Sequence, residues 1–464
     1  MTSTTPIDAG YRPAGDAAVR ALTDAVSRVH LPGTASYARL TRTQNPTLTL
    51  GPLAVVEATD ASEVATTLRL AAAFGVRVGV QGTGHGPTDT MDGALLVSTA
   101  TLDELTIDLV QCRARIGAGV RWSAVLEAAA PYGLAPVCGS STHVGVVGLL
   151  TGGGVGPLAR SLGLASDHVH AFEVVTGDGE VRRATRVRNA DLFWALRGGK
   201  GALGIVTAVE LDLPSLSQVY GGAIYFAGED AAAVVRTWGV WAQLLPEQAT
   251  TSLAVLRLPD LDLVPPPLRG RTAVAVRFVW TGDPDEGGEL VRAVRSAATP
   301  LVDTVGVMPY AAIASVHADP EDPIPSHDST FLLEEFGPEV TERFLELVGP
   351  GTPCVQAVVE VRQLGGRVRT GDDCAFAHRD APYSVFTTGI AAPGTAPVVA
   401  DDARRIAAGL APWARAGSMP NFTTRSGRAF VEAVHPPAVA ARLHALSLAY
   451  DPSGVLLAAR GLRD

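Results

Sequence analysis

The stretch Asp191–Thr207 reads DLFWALRGGKGALGIVT. Its first residues place Leu192, Phe193 and Leu196 at helical spacing, and Arg197-Gly198-Gly199 ends the periodicity. Gly201 and Gly204 follow, and from Ile205 and Val206 onward the residues favour a β-strand. Helix, glycine-rich turn and strand in this order let a backbone come close to something flat, because glycine has no Cβ to hold it off. Arg197 reads either as an anchor for a bound group or as a cation completing the helix C-terminus.

Two upstream segments have the same texture. Residues 138–169, CGSSTHVGVVGLLTGGGVGPLARSLGLASDHV, are apolar but carry Gly145, Gly148 and the triplet Gly152-Gly153-Gly154. Glycine inside regular structure costs roughly 0.5–1 kcal/mol per site. A backbone running along an extended cofactor explains that cost, and a glycine-rich packing seam is the alternative. Residues 76–90, VRVGVQGTGHGPTDT, run from a strand-like start (Val76, Val78, Val80) into Gly82-Thr83-Gly84-His85-Gly86. Consecutive exposed N–H groups of that kind form a nest suited to a pyrophosphate. A tight turn with an incidental histidine is the plainer reading. The dinucleotide-binding GxGxxG pattern does not fit, since no helix with the third glycine follows.

The remaining sequence sets bounds. With 464 residues, 47% of them hydrophobic and 18% charged, the chain can bury a large core over two to three domains. A net charge of −10 argues against sequence-independent nucleic-acid binding. No run of about 18 apolar residues is free of glycine and charge, so no membrane span is expected. The start, MTSTTPIDAGYRPAG, lacks a basic segment followed by an apolar one. Cys112, Cys138, Cys354 and Cys374 are scattered, with no zinc or disulfide pattern. A cytoplasmic location is therefore expected, with no metal. Arginine displaces lysine almost throughout, Lys200 being the only lysine, which points to GC-rich coding. Coarse patterning gives a helix over 61–75 closed by Gly75, a hairpin over 168–185 turning at Gly177-Asp178-Gly179, and later strands at 272–280 and 354–364 between helices at 284–298 and 337–348.

Taken together, the three glycine-rich segments resemble the flavoproteins of the vanillyl-alcohol-oxidase / p-cresol-methylhydroxylase (VAO/PCMH) superfamily, and within it the berberine-bridge-enzyme-like oxidases. The resemblance covers about 45–212 and the closing YDPSGVL (450–456), and AFAHRDAPY (375–383) is similar to the start of a substrate-domain strand. Leu203 stands where the family usually has an aromatic residue.

The resemblance implies an α+β fold. A PCMH/VAO-type FAD-binding domain of two α+β subdomains would occupy 1–212 and be completed by 410–464. A substrate domain with a large antiparallel sheet flanked by helices would occupy 213–409. It implies FAD bound covalently by His85 at the flavin 8α-methyl, among Gly82, Thr83, Gly84 and Gly86. Further cofactor contacts would come from Ser141, Val144, Gly145, Gly148, Gly152, Gly153, Gly154, Gly204, Ile205, Val206 and Asn421. Many relatives have a second link through a cysteine in C-x-x-V-G. Here Ser141 takes that place before Val144-Gly145, so a single link through His85 is expected, with Cys138 as an alternative only if the loop shifts. Val144 occupies the position thought to gate oxygen, which favours an oxidase.

On the substrate side, Glu360 and Arg362 alternate with Val359 and Val361 and so share one strand face. Glu360 is the candidate general base and Arg362 the group that orients substrate or lowers the carboxylate's pKa, a solvated strand face being the alternative. Tyr383 is expected to reach the pocket. His143, where the family often has threonine, reads as a donor near the reduced ring or as a hydrogen-bonded loop residue. The family's Y-x-N-Y is Met419-Pro420-Asn421-Phe422 here, so deprotonation by those tyrosines is not expected. The implied reaction moves a hydride from a hydroxyl-bearing or activated carbon to flavin N5, with O2 as acceptor giving H2O2. The implied setting is secondary-metabolite tailoring of a small molecule, by a monomer or homodimer that uses neither nucleic acid nor membrane. Three rivals stay open: an oxygenase using a flavin–oxygen adduct, a dehydrogenase with another acceptor, and a non-redox flavin scaffold catalysing cyclisation.

Overall fold

The computed structural model describes residues 11–86 and 89–464, which build three sheets. The first has four strands, β1 (Val29–His30), β2 (Ala54–Glu57), β3 (Val78–Gln81) and β4 (Leu95–Ser98), in the order β1-β2-β4-β3. β4 runs parallel to both β2 and β3, and β2 and β4 are buried throughout, as parallel strands usually are. The helix Ala61–Phe74 links β2 to β3. Asp60 caps its start by accepting from Glu63 N at 2.9 Å, and Gly75 ends it in the left-handed region at φ 66°. The chain terminus locks onto this sheet. The Asp451 carboxylate is fully buried and accepts from Val455 N and Leu456 N at 2.9 and 3.1 Å, and Val78 N donates to Val455 O at 2.8 Å.

The second sheet is antiparallel, with β5 (Leu105–Asp108), β6 (Arg113–Gly117), β7 (Val169–Thr176), β8 (Val181–Thr185) and β9 (Gly204–Asp212) in the order β5-β6-β9-β7-β8. The β7–β8 hairpin turns at Gly177-Asp178-Gly179, where Thr176 Oγ1 donates to Asp178 Oδ1 at 2.6 Å.

The third sheet has nine antiparallel strands: β10 (Gln218–Ala227), β11 (Ala249–Arg257), β12 (Thr272–Trp280), β13 (Pro300–Asp303), β14 (Gly306–Pro309), β15 (Ser326–Leu333), β16 (Val358–Gln363), β17 (Tyr383–Ile390) and β18 (Ala414–Arg415). Their order is β13-β10-β12-β11-β16-β17-β15-β18, with β14 also on β10. Helices Ala231–Trp241, Pro284–Arg295, Pro338–Val348 and Ala396–Gly409 pack on one face, over Trp238, Phe336, Phe344 and Phe278. The opposite face turns toward the FAD-half residues Val155, Leu158 and Ala159. β18 pairs with β15 beyond residue 409, so the sheet runs past the boundary read from sequence; a two-residue strand leaves no periodicity to read.

Candidate active site

β3 delivers the Gly82–Gly86 loop. Gln81, buried at its base, donates through Nε2 to Leu40 O (2.8 Å) and Arg42 O (3.0 Å). Gly84 has φ 72°, and a Cβ there would sit 2.7 Å from Arg42 O, so this position requires glycine. The loop is thus fixed on one side, while His85 and Gly86 are exposed on the other, and a Cβ at Gly86 would meet none of the described residues. Surrounding protein lowers the His85 pKa, against the opposing pull of Asp319, and Arg121 lowers it further.

The second segment meets the first directly. Gly145 N donates to Thr83 Oγ1 at 3.1 Å, and a Cβ on Gly145 would lie 2.9 Å from Thr83 Cγ2. Val144, Ser141 and His143 are half-buried on the same loop, and His143 Nε2 lies 2.5 Å from Glu321 Oε1. Gly148 is exposed and faces open space. The third segment arrives through Lys200, whose Nζ donates to Gly148 O at 3.2 Å and to Asn421 Oδ1. Asn421 Nδ2 in turn donates to Leu149 O at 2.9 Å. Burial pulls the Lys200 ammonium down to about 8. Hydrogen bonds therefore tie the 82–86 loop to Gly145, and Lys200 and Asn421 to the 148–149 stretch.

Other glycines of the three segments do something different. A Cβ on Gly152 would strike Asn421 Oδ1, one on Gly153 (φ 94°) the Phe376 ring, and one on Gly154 (φ 79°) the Ala165 methyl. Gly153 O and Gly154 O accept from Ser166 N and Ala165 N at 3.0 and 2.9 Å. The triplet is a packing seam that makes room for protein. Gly204 is similar, since its absent Cβ admits Val174 and Val175 O of the neighbouring strand, and the Ile205 and Val206 side chains are core. Arg197 is 3% exposed, donates to Asp373 O at 2.8 Å and stacks on Phe193, so it anchors the 373–376 segment. Cys138 is buried with Sγ 3.7 Å from Tyr310 Oη, and burial pushes its thiol up to about 12. A thiol so placed is neither exposed nor ionised for a second link.

The substrate sheet corrects two expectations. Antiparallel register puts Glu360 and Arg362 on one face with Ser252, Arg277, Ser384 and Phe386. Tyr383 belongs to the opposite face, 5% exposed and packed against Trp238 and Phe336 beneath the helices, so it does not reach the pocket. Strand alternation decides this, and Ser384 takes the place expected of Tyr383. Glu360, only 2% exposed, is saturated. Its Oε1 accepts from Ser252 Oγ and Arg277 Nη1, both at 2.7 Å, with His317 Nε2 at 3.4 Å, and its Oε2 accepts from Arg362 Nε at 2.7 Å. Burial alone would raise its pKa, but Arg362 and Arg277 overcome that and hold the carboxyl well below its usual range. A carboxylate so stabilised is a poor proton acceptor near neutrality, so the general-base role does not fit. Sequence reasoning missed Arg277, His317 and Glu321. Arg277 did leave a signal, a lone charge within the apolar strand TAVAVRFVW.

A family model described as "FAD binding domain" matches residues 52–185. An FAD-linked oxidoreductase of Dictyostelium discoideum is 24% identical over 314 residues, 66% of each chain. The (R)-6-hydroxynicotine oxidase of Paenarthrobacter nicotinovorans is 36% identical over 167 residues, 36% of each chain. The present chain thus spans about two thirds of the first relative's length and about a third of the second's. The solved Physcomitrella patens BBE-like 1 superposes with a TM-score of 0.82 over 96% of this chain and 98% of that one, at 18% identity. The described residues therefore share the fold of this solved protein, and residues 52–185 match an FAD-binding domain. The matched segment contains the His85 loop, the Gly145–Gly148 stretch and the β7–β8 hairpin.

Proposed function

We propose that this flavoprotein is an oxidase that removes two electrons and two protons from a hydroxyl-bearing or activated carbon of a small molecule, O2 being converted to H2O2. The observation that carries the reading is the exposed His85 imidazole beside Gly86, where a Cβ would meet no described residue, with Gly148 likewise open on the loop that Thr83 ties to it. Those residues fit FAD: His85 as the single covalent tether, the 82–86 amides for its pyrophosphate, and Gly145, Gly148 and Asn421 along its length. FAD, when bound, supplies the two-electron acceptor. Val144, half-buried beside His143, is the residue proposed to admit O2. His143, oriented by Glu321, is the group proposed to take the substrate proton. The saturated Glu360 positions Arg277 and Arg362 instead.

Cytoplasmic tailoring of a fused-ring or polyketide-like substrate, by a monomer or homodimer, is part of the proposal. Among the described residues no helix is long and apolar enough to cross a membrane. The test is a metabolite panel offered to the purified yellow protein in air. Flavin bleaching with stoichiometric H2O2 supports an oxidase. Bleaching that air does not reverse would overturn it in favour of another acceptor, and substrate-derived product carrying labelled oxygen would move it to an oxygenase.

A further inference from the structure

The polar face of the large sheet carries a charge imbalance that the reaction above does not use. Arg277, Arg362, Glu360 and His317 are each under 10% exposed, and two guanidinium groups face one carboxylate. The cluster is therefore cationic by one unit before histidine is considered. Buried charge is retained only where something compensates it. Among the described residues, Arg277 Nε and His317 Nδ1 find no partner. Both residues line a void of about 20 Å³, with Arg362, Ser252, Gly156 and Pro157 around it, room for one water-sized group. Arg362 extends from this void toward the Asn421 and Ser140 segments: its guanidinium stacks 4.9 Å from the Phe422 ring, next to Asn421, and its Nη2 reaches Ser140 Oγ at 3.5 Å. Neutralising Glu360 by protonation would only enlarge the imbalance.

We infer that Arg277, His317 and Arg362 form an anion subsite that receives one oxygen of a carboxylate or enolate carried by the substrate, with Glu360 holding the two arginines in place. The inference rests on the oxidase reading for its choice of a substrate group, while the subsite itself rests on the cluster. It narrows the substrate to small molecules with an acidic oxygen at the end that enters the sheet. A free inorganic anion such as chloride has the same chemistry.

The experiment uses the FAD-loaded protein and three probes: benzoate, its neutral analogue benzyl alcohol, and sodium chloride. Binding is read by perturbation of the flavin absorption bands and by shift in melting temperature. Benzoate is expected to bind at least about tenfold more tightly than benzyl alcohol, the worth of one charge-assisted hydrogen bond. Arg277→Gln should weaken benzoate by about tenfold or more, and Arg277→Lys, which keeps the charge if the glutamine variant folds poorly, should retain most of the binding. Glu360→Gln should tighten it. Equal binding of benzoate and benzyl alcohol, or benzoate affinity unchanged in Arg277→Gln, would overturn the subsite. Chloride stabilising the protein as much as benzoate, with benzoate then adding nothing, would overturn the substrate carboxylate as occupant. If the protein takes up no FAD the oxidase reading fails, whereas the melting shifts still report on the subsite.

Discussion

Two glycine clusters of the FAD half look alike in sequence and do opposite things. At Gly86, and at Gly148 nearby, the missing side chain meets no described residue beside an exposed imidazole, while Gly82 and Gly84 press against Ala118 O and Arg42 O. At Gly152–Gly154 they admit Asn421, Phe376 and Ala165, and every residue is buried. One cluster keeps a surface clear for a ligand and the other lets two parts of the protein close on each other. Glycine density alone therefore does not locate a cofactor; what would occupy the Cβ position does.

The contrast can be broken most forcefully at Gly153. Gly153→Ala must hold alanine at φ 94° with its methyl 2.4 Å from the Phe376 ring. Strain of that kind plus overpacking costs about 3 kcal/mol or more, so the variant should express poorly or melt far below the parent. A normal melting temperature would put the triplet with the open cluster.

Next comes the buried Glu360 cluster on the large sheet. Glu360→Ala leaves Arg277 and Arg362 buried without their carboxylate, and a loss of about 3–5 kcal/mol in denaturant unfolding is expected. The same group sets an acid limit. Its folded pKa lies below the unfolded value, so its contribution is present above about pH 4.5 and is lost as pH falls toward the folded pKa. Glu360→Gln should flatten that acid limb of stability against pH.

Gly148→Ala is expected to act on the ligand and not on the fold. Its methyl projects into open space, so unfolding should shift by no more than about 1 kcal/mol while FAD loading of the apoprotein weakens by about tenfold. The smallest effect is expected for Tyr383→Phe. That side chain packs behind the sheet against Trp238 and Phe336, so turnover should stay within about twofold of the parent. A large fall in turnover without a fall in stability would return Tyr383 to the pocket.

The elements were legible where periodicity or turn chemistry is local. The Ala61–Phe74 helix ends at the glycine its sequence marks, and the β7–β8 hairpin turns at Gly-Asp-Gly. The FAD fold was legible through clustered motifs. Tyr383 was misplaced because one residue of register exchanges the two faces of a strand, and nothing in DAPYSVF states which face is inward. Glu360 was read with Arg362 as its one partner because Arg277, Ser252 and His317 come from two other strands and a loop, contacts set by sheet order and invisible to spacing. His143 and Glu321 meet for the same reason, across 178 residues of sequence.

The central claim is that His85 alone tethers the flavin. The direct measurement is to precipitate the purified protein in acid, wash it, and record flavin absorbance and peptide mass in the pellet. The account predicts yellow pellets for the parent and for Cys138→Ala, with FAD mass on the peptide carrying His85, and a colourless pellet for His85→Ala. Flavin retained in the His85→Ala pellet would contradict it.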